Sequence, residues 1–176
     1  MSSIFKERKF EQPKSFKFST SNLKKANKYI KKYPVGKQRS AVMPLLYLVQ
    51  EQHDNWIPLA AMDYIATLLD MPMIQVYEVA NFYTMFNKQP VGKNLIQVCR
   101  TTPCMLRGAK DITQTCKKKL GIELGETTKD NKFTLVEVEC LGACVDAPLV
   151  QINNDYHENL TPESMEKLID KLSKNK

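Results

Sequence analysis

Histidine and tryptophan are scarce in this chain, with two His (His53, His157) and one Trp (Trp56) in 176 residues. No Gly-rich phosphate loop, Ser–His–Asp set or paired-carboxylate site is present, so the chain alone lacks the parts of a complete enzyme. Long apolar runs are missing too. The longest, such as PLLYLV and LIQV, fall far short of the ~20 residues a membrane helix needs. The chain is therefore expected to be soluble, with any membrane link made through a partner. No apolar h-region follows the N-terminus, so no secretory signal is expected. Cys-x-x-Cys does not occur, which removes the usual spacing of disulfide-exchange chemistry. What remains is an odd count of five cysteines. Without an export signal this argues for a reducing compartment, where paired cysteines more often bind metal or do redox work than form structural disulfides.

Acidic residues are missing from the start of the chain. Residues 1–40 carry twelve Lys/Arg and two acids (Glu7, Glu11), or +10, whereas the rest carries fourteen bases and seventeen acids, or −3. A solvated basic tail is the simple reading, and a docking arm for an acidic partner surface is the sharper one. Nucleic acid is disfavoured, because aromatic residues are not interleaved as stacking platforms. A mitochondrial presequence would be Arg-rich and acid-poor, whereas this segment is Lys-rich with an early Glu7.

At 43% hydrophobic, the chain can build one domain or two small ones. Residues 1–20 show no steady period and read as a basic, loosely ordered arm. Four helices follow over 21–88. One is capped by Ser21 or Asn22 and runs over about 23–32. A second is capped by Ser40, with Pro44 in its first turn. The third opens at Pro58 and the fourth at Pro72. The texture changes near Gln89-Pro90-Val91-Gly92. Residues 89–176 read as β-α-β-β-α: strands over 94–98, 133–138 and 149–152, a helix over 106–119, and a last helix begun by Thr161-Pro162-Glu163. The fold class is α+β, an N-terminal helical bundle followed by a second, sheet-bearing domain.

Four of the cysteines lie in two short pairs, Cys99/Cys104 in VCRTTPC and Cys140/Cys144 in ECLGAC; Cys116 stands alone. Each pair ends a predicted strand. If the two strands end side by side, both pairs arrive at one sheet edge. Thr101, Thr102, Gly142 and Ala143 are small enough to turn backbone N–H groups toward sulfur, and Pro103 and Pro148 stiffen the loops. Arg100, Arg107 and Lys110 lie near the first pair and can offset the charge of a thiolate-bound centre. Zinc knuckles commonly use tighter turns, and plant-type ferredoxins use a different spacing. Spacing alone therefore ranks an iron–sulfur cluster first and leaves zinc and a redox disulfide open. His53 and His157 read as surface or capping residues. Trp56, Phe82, Tyr83 and Phe86 read mostly as core, with a partner patch as the alternative.

The stretches YPVGKQRSAVMPLLYLVQEQHDNW (Tyr33–Trp56), VYEVANFYTMFNKQPVGK (Val76–Lys93), VCRTTPCMLRGA (Val98–Ala109), GIELGETTKDNKFTLVEVECLGACVDAPLVQIN (Gly121–Asn153) and LTPE (Leu160–Glu163) carry a resemblance. The second half resembles the thioredoxin-like [2Fe–2S] ferredoxins. The whole chain is similar to NuoE-type subunits of NADH:quinone oxidoreductase, respiratory complex I. The resemblance implies one [2Fe–2S] cluster on Cys99, Cys104, Cys140 and Cys144, with Cys116 outside the ligand set. It also implies a partner flavin subunit that binds FMN and NADH and exchanges electrons with the cluster. Neighbouring peripheral-arm subunits would contact the helical half. The expected location is the cytoplasmic side of the bacterial inner membrane, or the matrix side if organellar, held there through the complex. Equivalent small subunits of NAD-linked hydrogenases or formate dehydrogenases share the cysteine pattern, and a zinc-stabilised interaction module is the alternative of another class. The chain departs from the pattern at Asn55 and Asn131, where Gly is common; Asn tolerates the same left-handed turn. Arg100 replaces a small residue, which bears on the potential of a cluster rather than on its ligation.

Overall fold

The structure, a computed structural model, describes residues 5, 6 and 9–174. Two compact units emerge: Lys9–Pro90, and residues 91–174 together with Phe5 and Lys6.

In the first unit, Leu23, Ala26 and Ile30 recur at helical spacing, and the chain folds there as α1 (Thr20–Ile30) with these residues against the core. Its cap is Ser19 rather than Ser21 or Asn22: the Asn22 amide donates to Ser19 Oγ at 3.2 Å. Helix α2 (Val42–Gln52) contains Pro44 in its first turn, where no intrahelical bond is lost. Ser40 does not cap it. That residue lies inside a 3₁₀ turn, Gln38–Ala41, which runs directly into α2. Helices α3 (Leu59–Leu69) and α4 (Met73–Phe82) follow Pro58 and Pro72, each proline taking the capping position in extended conformation. Leu45, Leu46, Val49, Met62, Ile65 and Val76 fill the space between the helices.

The segment 9–19 departs from the expected loose arm. Phe18 is buried with Phe16 beside it, and both meet the Tyr64 ring edge-on, at 5.5 and 5.9 Å. Gln12 Oε1 accepts the Leu59 amide at 3.0 Å, and so serves the open first turn of α3. Gln52 Nε2 donates to the Lys17 carbonyl while its Oε1 accepts from the Ser19 amide, both at 2.9 Å. Burying one phenylalanine contributes about 1.5–3 kcal/mol, enough to hold a short stretch that has no secondary structure of its own. Residues 1–4, 7 and 8 of the expected arm lie outside the described residues.

The second unit is built on a four-stranded sheet in the order β2-β1-β3-β4. Strand β1 is Asn94–Cys99, β2 Phe133–Val138, β3 Val150–Ile152 and β4 Asp155–His157. β1 and β2 are parallel, with Asn94 opposite Phe133 and Cys99 opposite Val138; β3 is antiparallel to both β1 and β4. Alternation separates the faces. Ile96, Val98 and Leu135 pack with Ile112 and Cys116 of α6 (Ala109–Leu120) and with Met165 and Ile169 of α7 (Pro162–Lys174). Leu95 and Val136 turn to the other face, where Val91 and Phe5 join them. Phe5 is held there by the neighbouring Lys6, whose amide donates to Gly125 O at 2.9 Å and whose ammonium pairs with Glu126 at 2.7 Å.

Two elements differ from the sequence expectation. The helix expected over 106–119 begins at Ala109, because Gly108 turns left-handed at φ 96° and separates it from a short α5 (Thr102–Leu106). The turn at Asn153 closes a hairpin with the extra edge strand β4. The start of α7 is as read: Thr161 Oγ1 accepts the Ser164 amide at 3.2 Å, and Ser164 Oγ accepts the Thr161 amide at 2.8 Å. Asn55 and Asn131 are left-handed, at φ 62° and 55°.

Candidate metal centre

Because β1 and β2 run parallel and in register, their carboxyl ends reach the same sheet edge. Cys99 is the last residue of β1, and Cys140 follows two residues after β2 ends. The ladder continues past both ends: the Arg100 amide donates to Val138 O at 3.0 Å, and the Cys99 amide to Leu149 O at 3.1 Å. Loops beyond the carboxyl ends of parallel strands are where open sheets place ligand sites. The first cysteine loop bends into α5, which carries Cys104. The second bends into a 3₁₀ turn, Cys144–Asp146.

The sulfurs make close contacts within each pair. Cys140 Sγ and Cys144 Sγ are 4.0 Å apart. Cys99 shares hydrogen bonds with Cys104 and with the Thr101 hydroxyl, the latter at 3.4 Å, and Cys144 lies within electrostatic reach of both Cys99 and Cys104. Burial pushes the Cys99 thiol up. The hydroxyl and amide of Thr101, the amide of Leu141 and the Cys104 thiol outweigh it, and the net shift favours thiolate. The Leu141 amide belongs to the second cysteine loop, so that loop already serves a sulfur of the first. Cys104 is pushed up to about 11 by burial first and by its bond with Cys99 second, although the Leu149 amide opposes this. Cys144 is raised chiefly by its bond to Cys140. Cys99 and Cys104 are buried, whereas Cys140 and Cys144 are exposed.

Cys116 stands apart. It is fully buried on α6 among apolar side chains, and burial alone pushes its thiol up to about 12. None of the five cysteines is in a disulfide. His157 lies on β4. His53 takes the C-cap position of α2, with its ring 4.7 Å from Trp56 and 6.2 Å from Phe16. Of the four aromatics, Trp56 and Phe86 are core, whereas Phe82 and Tyr83 are exposed.

The basic residues near the first pair divide. Arg100 is not free to offset charge at the site, because its Nε and Nη2 both donate to Glu139 Oε1, at 3.0 and 2.7 Å. This pair joins the residue after Cys99 to the residue before Cys140. Arg107 and Lys110 are exposed. The amides that serve the Cys99 and Cys104 sulfurs come from Thr101, Leu141 and Leu149. Of the four small residues named from the sequence, Thr101 serves Cys99 with both its hydroxyl and its amide.

The donor set fits an iron–sulfur centre. Among the described residues no three His, Cys, Asp or Glu side chains enclose a single ion. The sulfurs come as two pairs, as a centre whose two irons each take two thiolates would use. Hydrogen bonds from amides to sulfur are the outer contacts such a centre uses. A mixed sheet with two cysteine pairs at one edge and helices over one face defines the class: a thioredoxin-like iron–sulfur protein.

The chain belongs to the thioredoxin-like [2Fe–2S] ferredoxin family, whose model matches residues 26–173. It is 61% identical to the E subunit of NADH-quinone oxidoreductase from Rickettsia bellii, over 90% of this chain and 95% of that one. It is 54% identical to NADH dehydrogenase [ubiquinone] flavoprotein 2, mitochondrial, of Dictyostelium discoideum, over 92% of this chain and 65% of that one. Among solved structures, the NAD+-reducing [NiFe]-hydrogenase in its H2-reduced state superposes with a TM-score of 0.66 at 20% identity, covering 75% of this chain and 22% of that one; this is a likeness of fold. No helix among the described residues is long and apolar enough to cross a membrane.

Proposed function

We propose that Cys99, Cys104, Cys140 and Cys144 ligate one [2Fe–2S] cluster, and that through it this subunit of an NADH-quinone oxidoreductase exchanges electrons with the FMN of a partner flavin subunit, which also binds NADH. The observation that carries the ligand set is the parallel register of β1 and β2, with the Leu141 amide turned to the Cys99 sulfur. The oxidoreductase reading rests on 61% identity across almost the whole of both chains. The hydrogenase alternative has a likeness of fold at 20% identity.

When bound, the cluster supplies a one-electron couple. The protein's part is to hold and tune it. An oxidised two-iron, two-sulfide core with four thiolates carries about −2. The Thr101 hydroxyl and the amides of Thr101, Leu141 and Leu149 stabilise that charge. The Arg100–Glu139 pair ties the two loops together. Cys99 and Cys104 anchor the buried side, and Cys140 and Cys144 leave the other side open to an electron partner.

In this reading the chain has a basic N-terminal segment over 1–20, of which residues 9–19 pack on the helical unit, a helical bundle over 21–88 and the cluster domain over 89–176. The bundle meets neighbouring peripheral-arm subunits. The chain works on the cytoplasmic side of a bacterial inner membrane, or the matrix side in an organelle, held there by the complex. The test is co-purification with the flavin-bearing subunit, followed by EPR after NADH is added. A reduced two-iron signal in a complex that contains flavin supports the proposal. A chain that purifies without a flavoprotein, or one bound to a hydrogenase catalytic subunit, overturns it.

A further inference from the structure

The lysines of α1 are distributed unlike those of the other basic helices. No Asp or Glu occurs between Glu11 and Glu51. Within that stretch Lys24, Asn27, Lys28, Lys31 and Lys32 line a shallow open groove of about 440 Å³ along the solvent side of α1 and its C-terminal turn. The opposite side of the helix is taken up by Leu23, Ala26 and Ile30 against the core. Lys24, Lys28 and Lys32 stand four residues apart, a like-charge spacing that destabilises a helix.

The other lysine-rich helices do not leave such a ridge. In α7, Glu163, Glu166 and Asp170 alternate with Lys167, Lys171 and Lys174. In α6, Lys117 pairs with Glu123 at 2.7 Å and Lys119 with Asp170 at 2.8 Å. None of the ion pairs among the described residues involves a lysine of α1. The helix dipole favours cations at a C-terminus, which accounts for Lys28, Lys31 and Lys32 but not for Lys24. Lys32 also lies over the Tyr29 ring, 5.0 Å from its centroid, so the ridge is partly pre-formed.

We infer that this face of α1 is a docking site for an acidic segment of a neighbouring subunit in the oxidoreductase complex, an inference that rests on the function proposed above. Charge complementarity selects an acidic occupant. A lipid surface is the poorer fit, because an interfacial helix inserts apolar side chains and those of α1 are turned inward. Nucleic acid is the poorer fit because no exposed aromatic platform lies among the lysines.

Zero-length carbodiimide coupling of the purified complex tests this, because it joins a lysine amine only to a carboxylate already in contact. Coupling of Lys24, Lys28 or Lys31 to Asp or Glu of another subunit is expected. Acetylation of the same lysines should be slower in the complex than in the free chain. Combined Lys24→Glu, Lys28→Glu and Lys31→Glu should weaken retention of the chain in the complex roughly tenfold, as the loss of three exposed pairs implies. Charge reversal at Lys118, Lys129 and Lys171 should leave retention unchanged. The triple variant keeps a like-charge spacing between positions 24 and 28, so its fold is checked by circular dichroism; Lys28→Glu alone, which replaces two like-charge spacings by opposite-charge ones, is the second variant and should weaken retention in the same direction. Equal acetylation in complex and free chain, with retention of the triple variant intact, overturns the inference. So does binding of the free chain to equimolar phosphatidylcholine–phosphatidylglycerol vesicles or to poly(U) that the triple variant loses, with no inter-subunit coupling. A chain that keeps its iron but enters no flavoprotein complex defeats the functional reading instead, and the two failures are told apart by the flavin content of the preparation.

Discussion

Gly92 sets how closely β1 and β2 begin, and replacing it with alanine gives a sharp test of the sheet. A Cβ there would lie 2.5 Å from the Phe133 carbonyl carbon and 2.8 Å from both its Cα and its amide nitrogen. Normal contact is about 3.5 Å or more, so the starts of the two strands must part by most of an ångström. The neighbours are backbone, and no flexible side chain can yield. Overpacking of this kind costs about 1–3 kcal/mol. The Gly92 amide also donates to the buried Thr134 hydroxyl at 2.6 Å, and disturbing that bond adds roughly 1 kcal/mol. The sum is about 3 kcal/mol, which lowers the melting temperature by about 10 °C in a chain of this size. The damage lies at the end of the strands away from the cysteines, five residues from Val138 in β2, or about 17 Å. Thermal unfolding of the iron-loaded Gly92→Ala chain should therefore show the drop while its EPR line shape stays as in the parent. An unchanged melting temperature would refute the close approach, and a changed line shape would refute the separation of the two ends.

The other expectations concern single groups. Cys116 should resist iodoacetamide at pH 8 in the folded chain and react in urea, since burial holds its thiol at about 12. Cys116→Ser should keep the iron while losing about 1–3 kcal/mol of stability through an unpartnered buried hydroxyl, and loss of iron in this variant would put Cys116 at the centre. Arg100→Ala should leave iron content intact and lower the reduction potential, because Glu139 then stands uncompensated beside the cysteines; Glu139→Gln should raise it, and a redox titration followed by EPR reads both. Asp130 is held below its ordinary value of 3.8 first by the Thr128 hydroxyl and then by the Lys132 amide. Its contribution to stability is therefore present above the unfolded value and lost as pH falls through the lowered folded one. An NMR titration should find that Thr128→Val moves Asp130 back toward 3.8.

The sheet that carries the site was legible because FTLVEV alternates, NLIQV is apolar, and both run straight into cysteine. Their shared edge was legible only as a condition; the parallel register satisfies it. Strand β4 was missed because Asp155, Tyr156 and His157 form a polar edge strand only three residues long. Helix α5 was missed because five residues give no period. Phe16 and Phe18 read as part of a loose arm because their burial comes from Tyr64 and other distant partners, not from local propensity. The same holds at the site. Sequence named the cysteines, but the service of Cys99 by the Leu141 amide and the diversion of Arg100 to Glu139 arise from strand ends meeting in space.

The central claim is one two-iron cluster on four named thiolates. Iron, acid-labile sulfide and EPR on anaerobically purified chain, for the parent and for Cys140→Ser and Cys116→Ser, test it most directly. The account predicts about two irons and two sulfides per chain with a signal on reduction, lost in Cys140→Ser and kept in Cys116→Ser. Stoichiometric zinc without iron in the parent, or equal loss in both variants, would contradict it.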